Sequence, residues 1–259
     1  MRKDIDLLLG VTQIGGGKHD RNNLTRDFFE MLAIRISNAF DPVHLEKRCS
    51  RITEIIGKYT NAELLEFERC ISLLIDILQY NLKMQILEDT LGRLFERHHR
   101  LIAGQELTPQ GVADILARIT IAPEEQMRDK GYLTLADSTC GSGGSFLASV
   151  QRFMELGYNP VTDMVVLAND INARAVHMAY IQTSFYGIPA VITQADVFTL
   201  NEAARWYTPA YILGNWVWRN PMNHIAGRNR EDERLKMMTD PMYAAIRRLW
   251  GWPKEDSKQ

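Results

Sequence analysis

Cysteine is scarce in this chain of 259 residues, which has only Cys49, Cys70 and Cys140. Their number is odd and none is paired at a metal-ligand spacing, which excludes a disulfide-stapled secreted scaffold and a cysteine zinc site. Long apolar runs are missing as well. No stretch approaches the ~18 apolar residues of a membrane-spanning helix. The N-terminal MRKDIDLLLG breaks its short run, Leu7 to Leu9, at Gly10, before a signal-peptide core could form. Neither sign of charge is in excess: 30 Lys and Arg face 32 Asp and Glu, a net charge of −2. No global field therefore draws the chain to nucleic acid, and such binding would need a local basic patch. No fixed period repeats along the chain. The expectation is a soluble, cytoplasmic protein with no membrane partner.

The composition that remains, 46% hydrophobic and 24% charged, suits one large globular domain or two small ones. From about Leu24 to Arg100 apolar residues recur at three and four positions, as in LTRDFFEMLAIRISNAF and NAELLEFERCISLLIDILQYNLK. This spacing predicts an all-helical region of four helices over residues 1–105. Asp41 with Pro42 reads as one helix start and Asn61 as the cap of the next. Thr108 and Pro109 open a further helix, TPQGVADILARI. The triple glycine Gly15 to Gly17 before Lys18 lacks the leading glycine of a phosphate-binding loop, having Thr12 there, and is followed by His19 in place of Ser or Thr. It reads as a turn.

The pattern then changes. Short β-type runs lie at 132–137, 163–170, 189–196 and 209–215, with amphipathic stretches between the first three. Such alternation predicts crossover connections and a mainly parallel sheet, so residues 106–218 are expected to be α/β. Residues 219–259 read as a basic and aromatic loop followed by a helix from about Arg230 to Trp250. That segment carries Arg219, Arg228, Arg230, Arg234, Arg247 and Arg248, either a phosphate-tracking surface or a solvated helix face. With 41 residues after Trp218, the run 209–215 would be left as an apolar sheet edge, for which a partner subunit or a second copy of the chain is the expected cover.

Chemistry concentrates in DSTCGSGGSFLA, residues 137–148. A strand ends at Asp137, a turn carries Gly141, Gly143 and Gly144, and a helix follows. This is where an open α/β sheet binds a cofactor, because glycines admit a close ligand and the helix start offers free N–H groups. A tight turn without a ligand would use the same glycines. The next two strands also end in acids, Asp170 in LANDIN and Asp196 in QADVF. One suits a ribose diol and the other an exocyclic amine, although either acid alone could be a turn former. Three strands ending in Asp favour an adenosine-containing ligand.

The order of these segments, LEDTLGRLFERHHRLIAGQELTPQGVADILARI, DSTCGSGG, LANDIN and QADVF, resembles the modification subunits of type I restriction-modification systems and related S-adenosylmethionine-dependent adenine-N6 DNA methyltransferases. The likeness runs from about Ile86 to Trp218. It implies a helical N-terminal region before a shortened Rossmann-like methyltransferase core, with S-adenosylmethionine as cofactor and DNA as partner. Thr108 and Pro109 would close over the methionine end of the cofactor. Asp137, Thr139, Gly141, Ser142 and Gly143 would form the loop beneath its amino-acid and sulfonium portion. Asp170 would hold the ribose hydroxyls and Asp196 the adenine amine.

The family's catalytic Asn-Pro-Pro-aromatic motif follows its fourth strand, which aligns Asn215 and Trp218 with its ends. Trp216 and Val217 stand where the prolines would be. In this reading Asn215 orients the target amine and Trp218 stacks on the flipped base. The alternative is an inactive module that binds S-adenosylmethionine or a subunit within a restriction-modification or anti-restriction system.

Overall fold

The computed structural model describes residues 7, 10–96, 108–199 and 201–219; the expected C-terminal helix lies outside them. Among the described residues, helical backbone at 10–12 and a 3-10 turn at Ile14–Gly17 precede α1 (Arg21–Asn38), α2 (Leu45–Ile56), α3 (Asn61–Lys83) and α4 (Thr90–Glu96) of the N-terminal region. Their starts differ in detail from expectation. Thr60, not Asn61, caps α3: its side chain accepts from the Glu63 N–H while Glu63 reaches back to the Thr60 N–H, a reciprocal capping box. Asp41 lies ahead of α2 and does not cap it. Its carboxylate accepts from the Val43 N–H at 3.1 Å and pairs with His44 and Arg48. In the glycine turn, the Gly15 N–H donates to Glu66 Oε2 at 3.2 Å and Lys18 lies 3.5 Å from Glu63. Those donors are thus engaged by carboxylates from α3.

After α5 (Gln110–Thr120), whose N-cap is Pro109 with no side-chain capping bond from Thr108, come α6 (Glu124–Lys130) and β1 (Leu133–Asp137). Then follow α7 (Gly144–Glu155), α8 (Pro160–Asp163), β2 (Met164–Asp170), α9 (Ala173–Phe185), β3 (Ala190–Ala195), β4 (Glu202–Tyr207), α10 (Pro209–Leu213) and α11 (Trp216–Arg219). Together with the helices the strands make an α/β protein with an open, mostly parallel sheet in the order β1-β2-β3-β4. The first three strands are parallel, in registers Leu133↔Met164 and Val166↔Ala190. β4 turns back antiparallel to β3, with Val191 opposite Tyr207.

The fourth strand expected at 209–215 is therefore corrected. Pro209 occupies the first helical position, the Thr208 hydroxyl accepts from the Tyr211 N–H at 3.3 Å, and the segment forms α10. A helix with Pro at its start and a Thr cap outcompetes a strand that would need the missing proline N–H. Asn215, with φ of 58°, then takes the left-handed turn into α11, a conformation that asparagine tolerates better than most side chains.

The helical region and the sheet share one core. Phe28 and Phe67 from the helices join Leu147, Val166, Tyr180, Ile192 and Trp206 in a single buried cluster. One side chain of α2 reaches β4. Arg48, itself buried, donates to the Arg205 carbonyl at 2.6 Å and lies 4.0 Å over the Trp206 ring while pairing with Asp41 at 2.6 Å. Burial opposes the charge on Asp41, yet the hydrogen bonds and charges of His44 and Arg48 hold its pKa below the usual carboxylate value. Among the described residues no helix is long and apolar enough to cross a membrane.

His177 on α9 presents its ring to Trp206, 4.9 Å between centroids. Loss of solvation, with Arg48 and Arg51 adding and Glu30 opposing, pushes it from 6.5 down to about 4. The fold thus accepts this group only when it is neutral. Its stability is whole above about pH 6.5 and declines as the pH falls toward 4, by up to about tenfold in the folding constant per unit. Urea unfolding at pH 7 and pH 4.5 is expected to show a smaller acid loss for His177→Phe than for the wild type. Equal losses would contradict this origin of the pH dependence.

Candidate functional site at the carboxyl edge of the parallel strands

Because β1, β2 and β3 run the same way, their carboxyl ends deliver Asp137, Asp170 and the loop starting at Asp196 to one edge of the sheet. The loop after β1 is tied there by its own backbone. The Cys140 N–H donates to the Asn169 carbonyl at 2.8 Å, and the Gly141 N–H to Asp170 Oδ2 at 2.8 Å. Asp170 Oδ1 accepts from the Asn172 N–H at 2.8 Å, and Asp137 Oδ1 from the Thr139 N–H at 3.2 Å. Asn169 bridges all three strand ends, donating to the carbonyls of Ser138 at 3.1 Å and Ala195 at 3.0 Å.

Gly141 and Gly143 have φ of 54° and 110°, values in the region that favours glycine. A Cβ on Gly143 would come within 2.6 Å of the Phe146 ring. The turn therefore has a packing role besides any ligand. α7 begins directly after it, with its first N–H groups at this edge.

The electrostatics favour a positively charged guest. Desolvation raises the Asp137 pKa, the Thr139 N–H opposes this, and the neighbouring Asp170 charge raises it further. A cation beside the two carboxylates would offset the repulsion between them. Asp196 differs. Its carboxylate accepts from the Phe198 N–H at 2.8 Å, a bond that holds its pKa down, so it acts as a turn former in the β3–β4 connection. Beside these acids stand exposed apolar groups, Ile171 at 61%, Phe198 at 93% and the less exposed Val197.

The structure brings Asp137, Thr139, Gly141, Gly143, Asp170 and Asp196 to this edge, with Ser142 in the same turn but its side chain buried. Thr108 is near as well, since its carbonyl lies 3.9 Å from where a Gly144 Cβ would stand; Pro109 follows it as the cap of α5. The sequence reading passed over Asn169, Ile171, Val197 and Phe198. Their signal was position alone, directly beside the strand-ending acids. Among the described residues no cluster of three or more His, Cys, Asp or Glu could hold a metal ion.

Asn215 and Trp218 are not brought to this edge. The Arg219 carbonyl accepts from Tyr132 Oη at 2.8 Å and its guanidinium donates to the Thr162 carbonyl at 3.0 Å, just before β1 and β2 begin. The segment therefore sits at the amino edge, separated from Asp137 by the five residues of β1, about 16 Å at ~3.3 Å per residue. Trp216, fully buried, meets Tyr132 edge-on at 5.2 Å, with the Arg219 guanidinium 4.1 Å over its ring. Trp216 and Val217 are core residues of a cluster with Val165, Tyr207, Tyr211 and Ile212. The assignment of Asn215 and Trp218 to a site shared with the glycine loop is corrected for that reason.

Gly143→Ala is expected to lower stability by about 1–3 kcal/mol, from the left-handed backbone and the crowded Phe146 ring, as read from the denaturation midpoint. An unchanged midpoint would contradict the packing role of the turn. Neither protein-family models nor curated proteins give a match to the chain.

Proposed function

We propose that the carboxyl edge of β1–β3 is a Rossmann-like S-adenosylmethionine site of the adenine-N6 DNA methyltransferase kind, used by this chain as a cofactor-binding or subunit-binding module. The observation that carries the reading is the joint placement of a glycine turn, a helix start, the repelling pair Asp137 and Asp170, and the exposed Ile171 and Phe198. That donor set fits the ligand. Its ammonium and sulfonium charges answer the two carboxylates, and its adenine answers the apolar rim. When bound, S-adenosylmethionine supplies an electrophilic methyl group.

Asp170 would take the ribose hydroxyls on lone pairs not used by Gly141 and Asn172, since a carboxylate offers about four acceptor sites. Asp196 would meet the adenine amine, and the Thr108–Pro109 segment would flank the methionine end. The module reading is preferred to an active methyltransferase because Asn215 lies at the amino edge, too far to aim an amine at a methyl group held by the loop. DNA and modification subunits are the partners this reading implies.

Calorimetry is expected to give saturable S-adenosylmethionine binding that weakens in acid as Asp137, whose pKa burial raises, takes up a proton. Asp170→Ala should weaken it at least tenfold, whereas Asn215→Ala should leave it within twofold. Transfer of tritiated methyl to unmethylated DNA should stay at background. Absence of binding would refute the cofactor site; DNA labelling that Asn215→Ala abolishes would refute the module.

A further inference from the structure

Against the glycine turn lies a buried carboxylate from the helical region. Asp89, at the start of α4, is 4% exposed. Its Oδ1 accepts from the Gly92 N–H at 2.8 Å and from Gln182 Nε2 at 3.0 Å, and its Oδ2 accepts from the Ser142 hydroxyl. Gln182 of α9 also donates to the Ser142 carbonyl at 3.0 Å and accepts from the Leu91 N–H at 3.0 Å. Ser142 is fully buried, so its side chain faces Asp89 and not the ligand edge. The fit is close: a Cβ on Gly92 would fall 2.1 Å from both Asp89 Oδ2 and Ser142 Oγ, and one on Gly144 would fall 3.5 Å from Asp89 Oδ2.

A burial this complete is stable only while each lone pair has its donor. Breaking the link therefore frees the turn and leaves polar groups without partners. The turn passes through Gly141 and Gly143, whose wide conformational freedom makes a fixed loop shape depend on its surroundings.

We propose that Asp89 is a positioning residue for the cofactor loop. Through Ser142 and Gln182 it holds the glycine turn in the shape that receives the amino-acid and sulfonium end of S-adenosylmethionine, so that docking of α4 sets cofactor affinity. The proposal rests on the cofactor site proposed above. It assigns a role to the EDTLG stretch that the ligand-facing residues leave unexplained. A loop fixed in advance loses less entropy on binding, and an ångström of misplacement is costly.

The test compares S-adenosylmethionine with adenosine, which lacks the portion that the turn would receive. In Asp89→Ala, S-adenosylmethionine affinity should fall at least tenfold while adenosine affinity stays within twofold. Asp89→Asn, which can still accept from Gly92 and Gln182 and donate to Ser142, should restore S-adenosylmethionine affinity to within threefold. In the ligand-free protein, amide exchange over 139–144 should quicken at least tenfold in Asp89→Ala and stay unchanged in α1. Equal loss of both ligands, or unaltered loop exchange, would overturn the proposal. If Asp89→Ala does not fold, Ser142→Ala carries the same expectations. If the wild type binds neither ligand, the proposed function has failed, and loop exchange alone decides whether Asp89 holds the turn.

Discussion

The arrangement of the sheet depends on one buried cation. Arg48 reaches from the helical region to β4, where its guanidinium meets a backbone carbonyl and an indole face while it pairs with the Asp41 carboxylate. Taking such a pair out of water is costly, and removing one partner of a buried pair typically costs about 3–5 kcal/mol. What the interaction supplies is definition. An open edge offers its backbone to another strand, and Arg48 engages one carbonyl of β4 from the chain's own α2.

That contact has consequences for the rest of the chain. With β4 antiparallel and fixed against β3, the polypeptide is carried back to the amino edge, where Thr208 bonds to both Ile188 and Ala190 and starts α10. The glycine turn and the Asn215 segment thereby occupy opposite ends of the parallel strands. The helical region acts at both ends of the sheet: Arg48 secures β4, and Asp89 supports the turn beneath the proposed cofactor. It is integral to the α/β portion, as the shared core implies.

Much of this was legible in the sequence, for identifiable reasons. β1, β2 and β3 announced themselves as short apolar runs ending in Asp, and the N-terminal helices from α1 onward by their three-and-four periodicity. The failures are equally specific. Thr208 and Pro209 carry the same start signal that was read at Thr108 and Pro109, but the apolar Tyr211, Ile212 and Leu213 outweighed it. EAARWY, which forms β4, has a charged and alanine-rich beginning with no alternation, and its strand state depends on β3 and on Arg48, more than 150 residues away. Such tertiary partners leave little local trace. The adjacency of Asn169, Ile171 and Phe198 to the site likewise follows from pairing of the strands, and the role of Asp89 from packing between α4 and α9.

The central claim is that a single edge of the sheet receives the cofactor while the Asn215 segment serves as core at the other. Ultraviolet cross-linking of labelled S-adenosylmethionine followed by peptide mapping tests it most directly. The account expects label within residues 137–144 or 169–171 or at 196–198, and none within 209–219. Label in 209–219, or none anywhere under saturating cofactor, would contradict it.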